Sequence, residues 1–490
     1  MRIPSHGFRC IGILFAIVTT SCGGHSSSSG NHLYRQTVYG KPGQTVKELI
    51  DSLPQDGGIV ILRTGTWPSG YDSGGFISKP NVTIQGGGMP AFNRDFTAMA
   101  GGTIVLGTLA ASTGADFITV RDLGVDVGSA YINASDNGMA RDGFAIYNYG
   151  QVLGARPVES PVIENVSCLG YSPSAAVHCM LVENVNHAYV HNVWAVMNCH
   201  GVVLKGTNSK IDGVLSRGHS IDAVIVKSDA YAPASQDTLS NINVQPLFSP
   251  GDTKGIIIIG VGASVSEIHL SNVQIDSPAA WGIYVHGASE AATATGVTLS
   301  GISVDYPGGS PPDQYCMQFV QYVSAVRIQD LNCSDMWTGI GPYLPDPVFF
   351  SNFIVTGSHF TSIATNAIQT YGAWEVFGNS FRSVGGNGIV NPFGVTVVGL
   401  NTFANITGSD MLSTGGSFVS LFASACLNSV TTACRFPVRY SPAKRRVTRS
   451  PVQSIQHACD EQPSSREMIG KNCYGVSEQP IAKIVPEQRS

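Results

Sequence analysis

Between positions 217 and 229 the chain places Arg217, His219, Asp222, Lys227 and Asp229 around the short β-branched run Ala223-Val-Ile-Val226. Such a set can supply an imidazole or an amine to remove a proton, and a guanidinium to neutralise a carboxylate. The run Gly201-Val-Val-Leu-Lys205 anticipates it 22 residues earlier, again ending on Lys. In a strand alternate side chains share a face, so if Val202 and Leu204 point inward, Lys205 and Lys227 point outward. Strands on adjacent rungs lie about 4.8 Å apart. Two ammonium groups that close lower the pKa of one of them unless a carboxylate, here Asp229, intervenes.

These side chains need elements that repeat to hold them. From Phe117 onward a two-part phrase recurs. It opens on an apolar pair around Asn, Asp or Gly, as in Val190-His-Asn-Val193, Ile211-Asp-Gly-Val214, Leu270-Ser-Asn-Val273, Leu299-Ser-Gly-Ile302 and Ile328-Gln-Asp-Leu331. It closes on a small residue and a β run, as in Gly201-Val-Val-Leu204, Gly255-Ile-Ile-Ile258 and Gly282-Ile-Tyr-Val285. The average step is about 27 residues, which suits the coils of a parallel β-helix and is too short for propeller blades. The expected fold class is therefore all-β, a single-stranded parallel β-helix. It is right-handed by the general rule for parallel crossovers.

The register of that solenoid predicts two outward columns. One continues Lys205 and Lys227 through Ile259, His286, Gln321, Tyr343 and Tyr371; the companion sheet carries Asp126, Arg217, Asp276 and Asp305, with His219 just after Arg217. Basic groups beside carboxylates along a face suit an acidic polysaccharide. Trp194, Tyr284 and Tyr343 can stack on sugar rings, and Asp229 and His286 complete the predicted substrate contacts. Taken singly, a Lys on a solenoid face is a surface charge, and Asp222 fits equally as the cap of its strand. The joint cluster is what makes a candidate site.

The composition agrees. With 490 residues, 56 Gly and 12% charged residues the chain reads as turn-rich β structure. A net charge of −5 points to neither nucleic acid nor an anionic membrane surface. No long apolar run follows the N-terminus, so no transmembrane helix is expected. Cys168, Cys179, Cys199, Cys316 and Cys333 fall in β patterns and read as free, buried thiols. Cys426 with Cys434, and Cys459 with Cys473, have the spacing of disulfides, and no Cys/His pattern argues for zinc.

Two stretches carry a family resemblance. The block from Lys47 to Trp67 and the phrase Val82-Thr-Ile-Gln-Gly-Gly-Gly88 resemble the entry to pectate-lyase-superfamily β-helices. The resemblance implies that a short helix covers the N-terminal end of the solenoid. Gln44–Leu53, with Val46, Leu49, Ile50 and Leu53 at helical spacing, is that helix. Within the superfamily, Ile221-Asp-Ala-Val-Ile-Val-Lys-Ser228 resembles a polygalacturonase segment in which two Asp precede a similar strand. Here Asp222 matches one of the two and Ile221 stands at the other. A hydrolase needs two placed carboxyl groups, whereas β-elimination from a uronate needs a base and a cation. The expected activity is thus that of a polysaccharide lyase, with Lys227 or Lys205 as base and Arg217 as neutraliser. A polygalacturonase-like hydrolase is the runner-up and a non-catalytic polysaccharide-binding protein the third reading. The resemblance also implies a Ca²⁺ ion as a possible cofactor, with Asp126, Asp276 and Asp305 as candidate ligands.

The ends read differently. Residues 1–21 have a basic start, an apolar core and a small-residue exit into Cys22, and resemble a bacterial lipoprotein signal with Cys22 as the lipidated residue. Export to the periplasm or cell surface, with a lipid anchor, is the expectation. Residues 22–38 read as a tether, 39–420 as the β-helix and 421–490 as an irregular, partly disordered tail.

Overall fold

The recurring Asn, Asp or Gly of the opening phrase has one structural job. Asn192 (φ 51°), Gly213 (φ 74°), Asn272 (φ 51°), Gly301 (φ 59°) and Asp330 (φ 54°) all hold left-handed backbone in mid-strand, the conformation those residues tolerate best. The kink lets the apolar residues on both sides of it, such as Val190 and Val193, face the interior. Side chains at the kinks are tied from rung to rung, Asn192 donating to Asn165 at 2.8 Å and Asn272 to Asn241 at 2.5 Å. The phrase is therefore an architectural repeat.

The computed structural model describes residues 35–71, 75–127, 142–147, 156–170, 178–196, 200–218, 222–246, 255–342, 349–421 and 424–427. Its strands stack in parallel register as a β-helix. One sheet contains Thr119–Asp126, Val162–Leu169, Tyr189–Val196, Lys210–Arg217, Thr238–Gln245, His269–Asp276 and Thr298–Asp305. A second contains Phe144–Tyr147, His178–Asn186, His200–Thr207, Asp222–Ser228, Ile256–Gly260, Trp281–Gly287 and the start of Tyr315–Ser334. Between them runs a continuous apolar core that includes Val202, Leu204, Val224 and Val226, all fully buried. Towards the C-terminal end Phe360, Phe381 and Phe403 stack at 5.2 and 4.8 Å between ring centres.

The helix Val46–Asp51 lies within the predicted span. Thr45 and Glu48 form a capping box, and Val46, Leu49 and Ile50 join the core. The strand ladder reaches Ala425–Leu427, which pairs with Thr402–Ala404, so it runs past the expected limit at 420. Among the described residues no helix is long and apolar enough to cross a membrane. The signal segment with Cys22, and Cys199, Cys434, Cys459 and Cys473, lie outside the described residues, as do His219 and Tyr343. One cysteine expectation is corrected: Cys316 and Cys333 are joined by a disulfide. They occupy facing columns at the corner between the two sheets, which the alternating pattern of either strand alone does not reveal. Cys168 and Cys179 are free and buried.

Candidate active site

The second sheet presents two polar columns on its outer face, one near each end of its strands. Between them lies a small apolar cluster of Ala110, Ala145, Leu181, Val203 and Ile225, separate from the interior core. Asp222 and Lys227 open and nearly close one strand, so their backbones are about 16 Å apart at about 3.3 Å per residue.

The lysine column was foreseen, but its chemistry differs from the expectation. Leu204 pairs with Val226, which puts Lys205 and Lys227 on neighbouring rungs. Lys205 Nζ lies 2.5 Å from Glu183 Oε1 and 3.1 Å from Asp229 Oδ2. Burial alone would lower its pKa, yet the two carboxylates overcome this and hold the ammonium above its ordinary value. An amine so held is a poor base, so the assignment of Lys205 as base is corrected. Asp229 also accepts from the backbone N–H groups of Tyr231 and Ala232. Lys205 then keeps its carboxylate ionised against the cost of burial. It fastens the turn that carries Asp229. Lys227 is the opposite case: burial first, then the nearby Lys205, lowers its pKa.

Further along, the column departs from the predicted register. Lys227 is followed by Ile259 and His286, but His286 pairs with Val320. Gln321 is one residue beyond, its Oε1 3.1 Å from His286 Nε2. Burial lowers the pKa of His286. Tyr284, on the same strand, packs against Trp281 at 4.7 Å and meets His286 edge-on at 5.8 Å. Tyr371 is half-buried and packs against the core.

At the other end of the sheet stands a cluster that the reading of the sequence missed. His178, His200 and Asp222 are register neighbours on three successive rungs. The two imidazoles stack, with ring centres 5.0 Å apart and planes 15° from parallel. Asp142 Oδ1 accepts from the backbone N–H of His178 at 2.9 Å and lies 2.8 Å from its Nδ1. That contact fixes the ring through Nδ1 and leaves Nε2 as the nitrogen not engaged by Asp142. His200 Nδ1 is 3.4 Å from Asp222 Oδ2. Asp142 and Asp222 are 5% and 2% exposed, so each imidazole meets a buried carboxylate on the rung beside it. Burial, assisted by His178, outweighs Asp222 and lowers the pKa of His200, which keeps this ring neutral near pH 7. The sequence did contain a signal: His178-Cys179, His200-Gly201 and Asp222-Ala223 place a titratable residue before the small residue of three rungs, 22 apart.

The companion column falls in the predicted register, with Asp126, Leu169, Val196, Arg217 and Gln245 on successive rungs before Asp276 and Asp305. Arg217 ends its strand five residues before Asp222, at the histidine end of the second sheet, and its guanidinium lies over the Phe96 ring at 4.6 Å. Asp126 is five rungs, about 24 Å, from Asp276. Asp276 and Asp305 accept from the hydroxyls of Ser277 and Ser334. The three carboxylates cannot gather on one Ca²⁺, and among the described residues no group of His, Cys, Asp and Glu could hold a metal. Trp194 stacks with Phe92 at 6.3 Å, under the hairpin formed by Ala91–Phe92 and Met99–Ala100. One face of its ring is taken up in this packing.

No family model and no curated protein matches the chain. Among solved structures it is similar to the A-module of Azotobacter vinelandii mannuronan C-5 epimerase AlgE6, with a TM-score of 0.48 and 13% identity over 78% of this chain and 94% of that one. The catalytic unit of a thermostable GH87 α-1,3-glucanase from Streptomyces thermodiastaticus strain HF3-3 gives 0.47 and 11% over 79% of this chain, which spans 65% of that unit. The A-module of AlgE4, also from Azotobacter vinelandii, gives 0.44 and 12% over 74% and 91%. Likeness at this level carries nothing about chemistry, which rests on the side chains described above.

Proposed function

We propose that this chain is a carbohydrate-active enzyme, a lyase that cleaves a uronate-containing polysaccharide by β-elimination at the imidazole pair. The carrying observation is the stack of His178 and His200, each backed by a buried carboxylate, with one ring kept neutral. His200 takes the proton from the carbon alpha to the uronate carboxylate. A carbon–carbon double bond forms, the glycosidic C–O bond beta to that carboxylate breaks, and His178 gives a proton to the leaving oxygen. Arg217, at the same end of the second sheet, is the cation for the uronate carboxylate. Tyr284 and Trp281, further along the sheet, offer aromatic contact to sugar rings.

The hydrolase reading draws on Asp142 and Asp222. A hydrolase needs two carboxyl groups facing one glycosidic bond, about 5 to 9.5 Å apart according to mechanism. Here three rungs, about 14 Å of backbone, separate them, and each leans on a histidine. An exported, Cys22-anchored protein suits a polymer met outside the cell, and loss of membrane association in Cys22→Ser tests that part.

The activity test uses a panel of acidic and neutral polysaccharides, following ultraviolet absorbance and reducing ends together. A lyase raises both, because elimination leaves an unsaturated uronate. Reducing ends without absorbance, abolished by Asp222→Asn, would replace the lyase by the hydrolase. Tight polymer binding with neither signal would leave a binding protein.

A further inference from the structure

The interior behind the Asp142–His178 contact holds two thiols that the proposed chemistry does not use. Cys168 lies at the end of a first-sheet strand and Cys179 directly follows His178; both are 1% exposed. The Cys168 thiol donates to the Cys179 carbonyl oxygen at 3.5 Å, so the two residues are in direct contact. Gly143, next to Asp142, makes room for them: a Cβ there would meet Cys168 Sγ and Cys179 O, each at 2.5 Å. Both active-site groups, Asp142 and His178, are thus one residue from this packed corner.

The same corner is bridged elsewhere in the solenoid. Following the register, Cys168 shares its column with Ala195, Ser216, Val244, Ile275, Val304 and then Cys333. Cys179 shares its column with Gly201, Ala223, Gly255, Gly282 and then Cys316. The disulfide Cys316–Cys333 therefore joins the two columns on which the free pair sits. It links neighbouring rungs, whereas Cys168 and Cys179 belong to one rung, eleven residues apart. The disulfide shows that side chains of these two columns can reach one another across the corner, and Cys168 Sγ already lies against the Cys179 main chain, within the short range a disulfide requires of its cysteines.

We propose that Cys168 and Cys179 are a dithiol–disulfide couple whose oxidised form locks the corner carrying Asp142 and His178. Closure proceeds by exchange with a small-molecule disulfide such as oxidised glutathione. One cysteine thiolate attacks it, forming a mixed disulfide and releasing one thiol; the second cysteine thiolate displaces the other half. Two protein S–H bonds give way to one S–S bond, and the oxidant becomes two thiols. Burial raises the pKa of the Cys179 thiol, so exchange in the folded chain is slow.

The full chain is equilibrated with oxidised or reduced glutathione, blocked with an alkylating reagent, digested without reduction and mapped by mass spectrometry. The oxidised sample is expected to yield a peptide pair linked through Cys168 and Cys179, with the thermal midpoint about 3 °C above the reduced form. Amide exchange should slow over Phe144–Tyr147 and His178–Asn186. Cys168→Ala should abolish the link and that midpoint difference. In a Cys316→Ala/Cys333→Ala variant the link should persist, separating it from the disulfide already present. Alkylation of both thiols after oxidising equilibration overturns the proposal, as does Cys168 linked instead to Cys199.

Discussion

The two ends of the second sheet hold the same kinds of groups and put them to opposite use. In the lysine column the carboxylates of Glu183 and Asp229 grip Lys205 from both sides. In the histidine column Asp142 and Asp222 sit on the rungs before and after the stacked rings, and each imidazole meets one carboxylate. An ammonium between two anions is a closed electrostatic unit whose value is stability. An imidazole held from one side is oriented without being consumed, the condition for moving a proton. Charge alone therefore does not identify a site; the side from which the partner arrives does.

The largest expected effect follows for the open end. His200→Ala should lower turnover by about 10³-fold, within the usual range for a general base, with the thermal midpoint little changed. The wild-type rate should fall as pH drops through a value below the ordinary 6.5 of histidine, because the lowered pKa of His200 must be passed before the ring is charged. A loss of less than tenfold, or one explained by unfolding, would move the chemistry away from the imidazoles.

Asp237 sharpens the contrast, since among the described residues no cation pairs with it. It is fully buried and accepts one bond, from the backbone N–H of Ser209, and burial raises its pKa to about 8. An acid whose folded pKa is raised costs stability: between about pH 4 and 8 the unfolded chain loses the proton that the folded one keeps. Stability should fall by about 1.4 kcal/mol per pH unit across that window, about 5 kcal/mol in all. Asn379 makes the same kind of turn contact with a neutral amide, so Asp237→Asn should fold and flatten this slope in chemical denaturation at several pH values. For the closed unit, Lys205→Met should cost about 3–5 kcal/mol, since it leaves Glu183 and Asp229 facing one another. A cost under 1 kcal/mol would mean that the ion ladder is ornamental.

The solenoid was legible because its signal is repetitive: each rung restates the same apolar spacing and the same left-handed kink at residues such as Asn272 and Gly301. The lysine register was legible for the same reason. What Lys205 does was not, because Glu183 comes from the preceding rung, 22 residues away, where no local spacing announces it. The histidines were hidden differently. His178 and His200 each open a strand at a corner, where the inward–outward alternation used to sort side chains breaks down. The disulfide Cys316–Cys333 was missed at such a corner too. Periodicity reads strands well and corners poorly, and this molecule keeps its polar specialities at the corners.

The smallest effect belongs to Lys227, which stands between the two behaviours. It occupies the closed column, yet burial and Lys205 lower its pKa. For a base the sign runs opposite to that for Asp237. From the lowered value up to the ordinary 10.5 the unfolded chain binds a proton that the folded chain has given up, so stability rises with pH through that window. Below it the charged form carries a penalty that Lys227→Met removes. The variant should therefore be equal to or slightly more stable than wild type at pH 7, within about 1 kcal/mol, and should lack the alkaline rise. Its turnover on a polyuronate should stay within a few-fold of wild type if proton transfer belongs to the histidines. A loss of activity matching that of His200→Ala, with the fold intact, would return the catalytic base to the lysine column and dissolve the distinction between the two ends of the sheet.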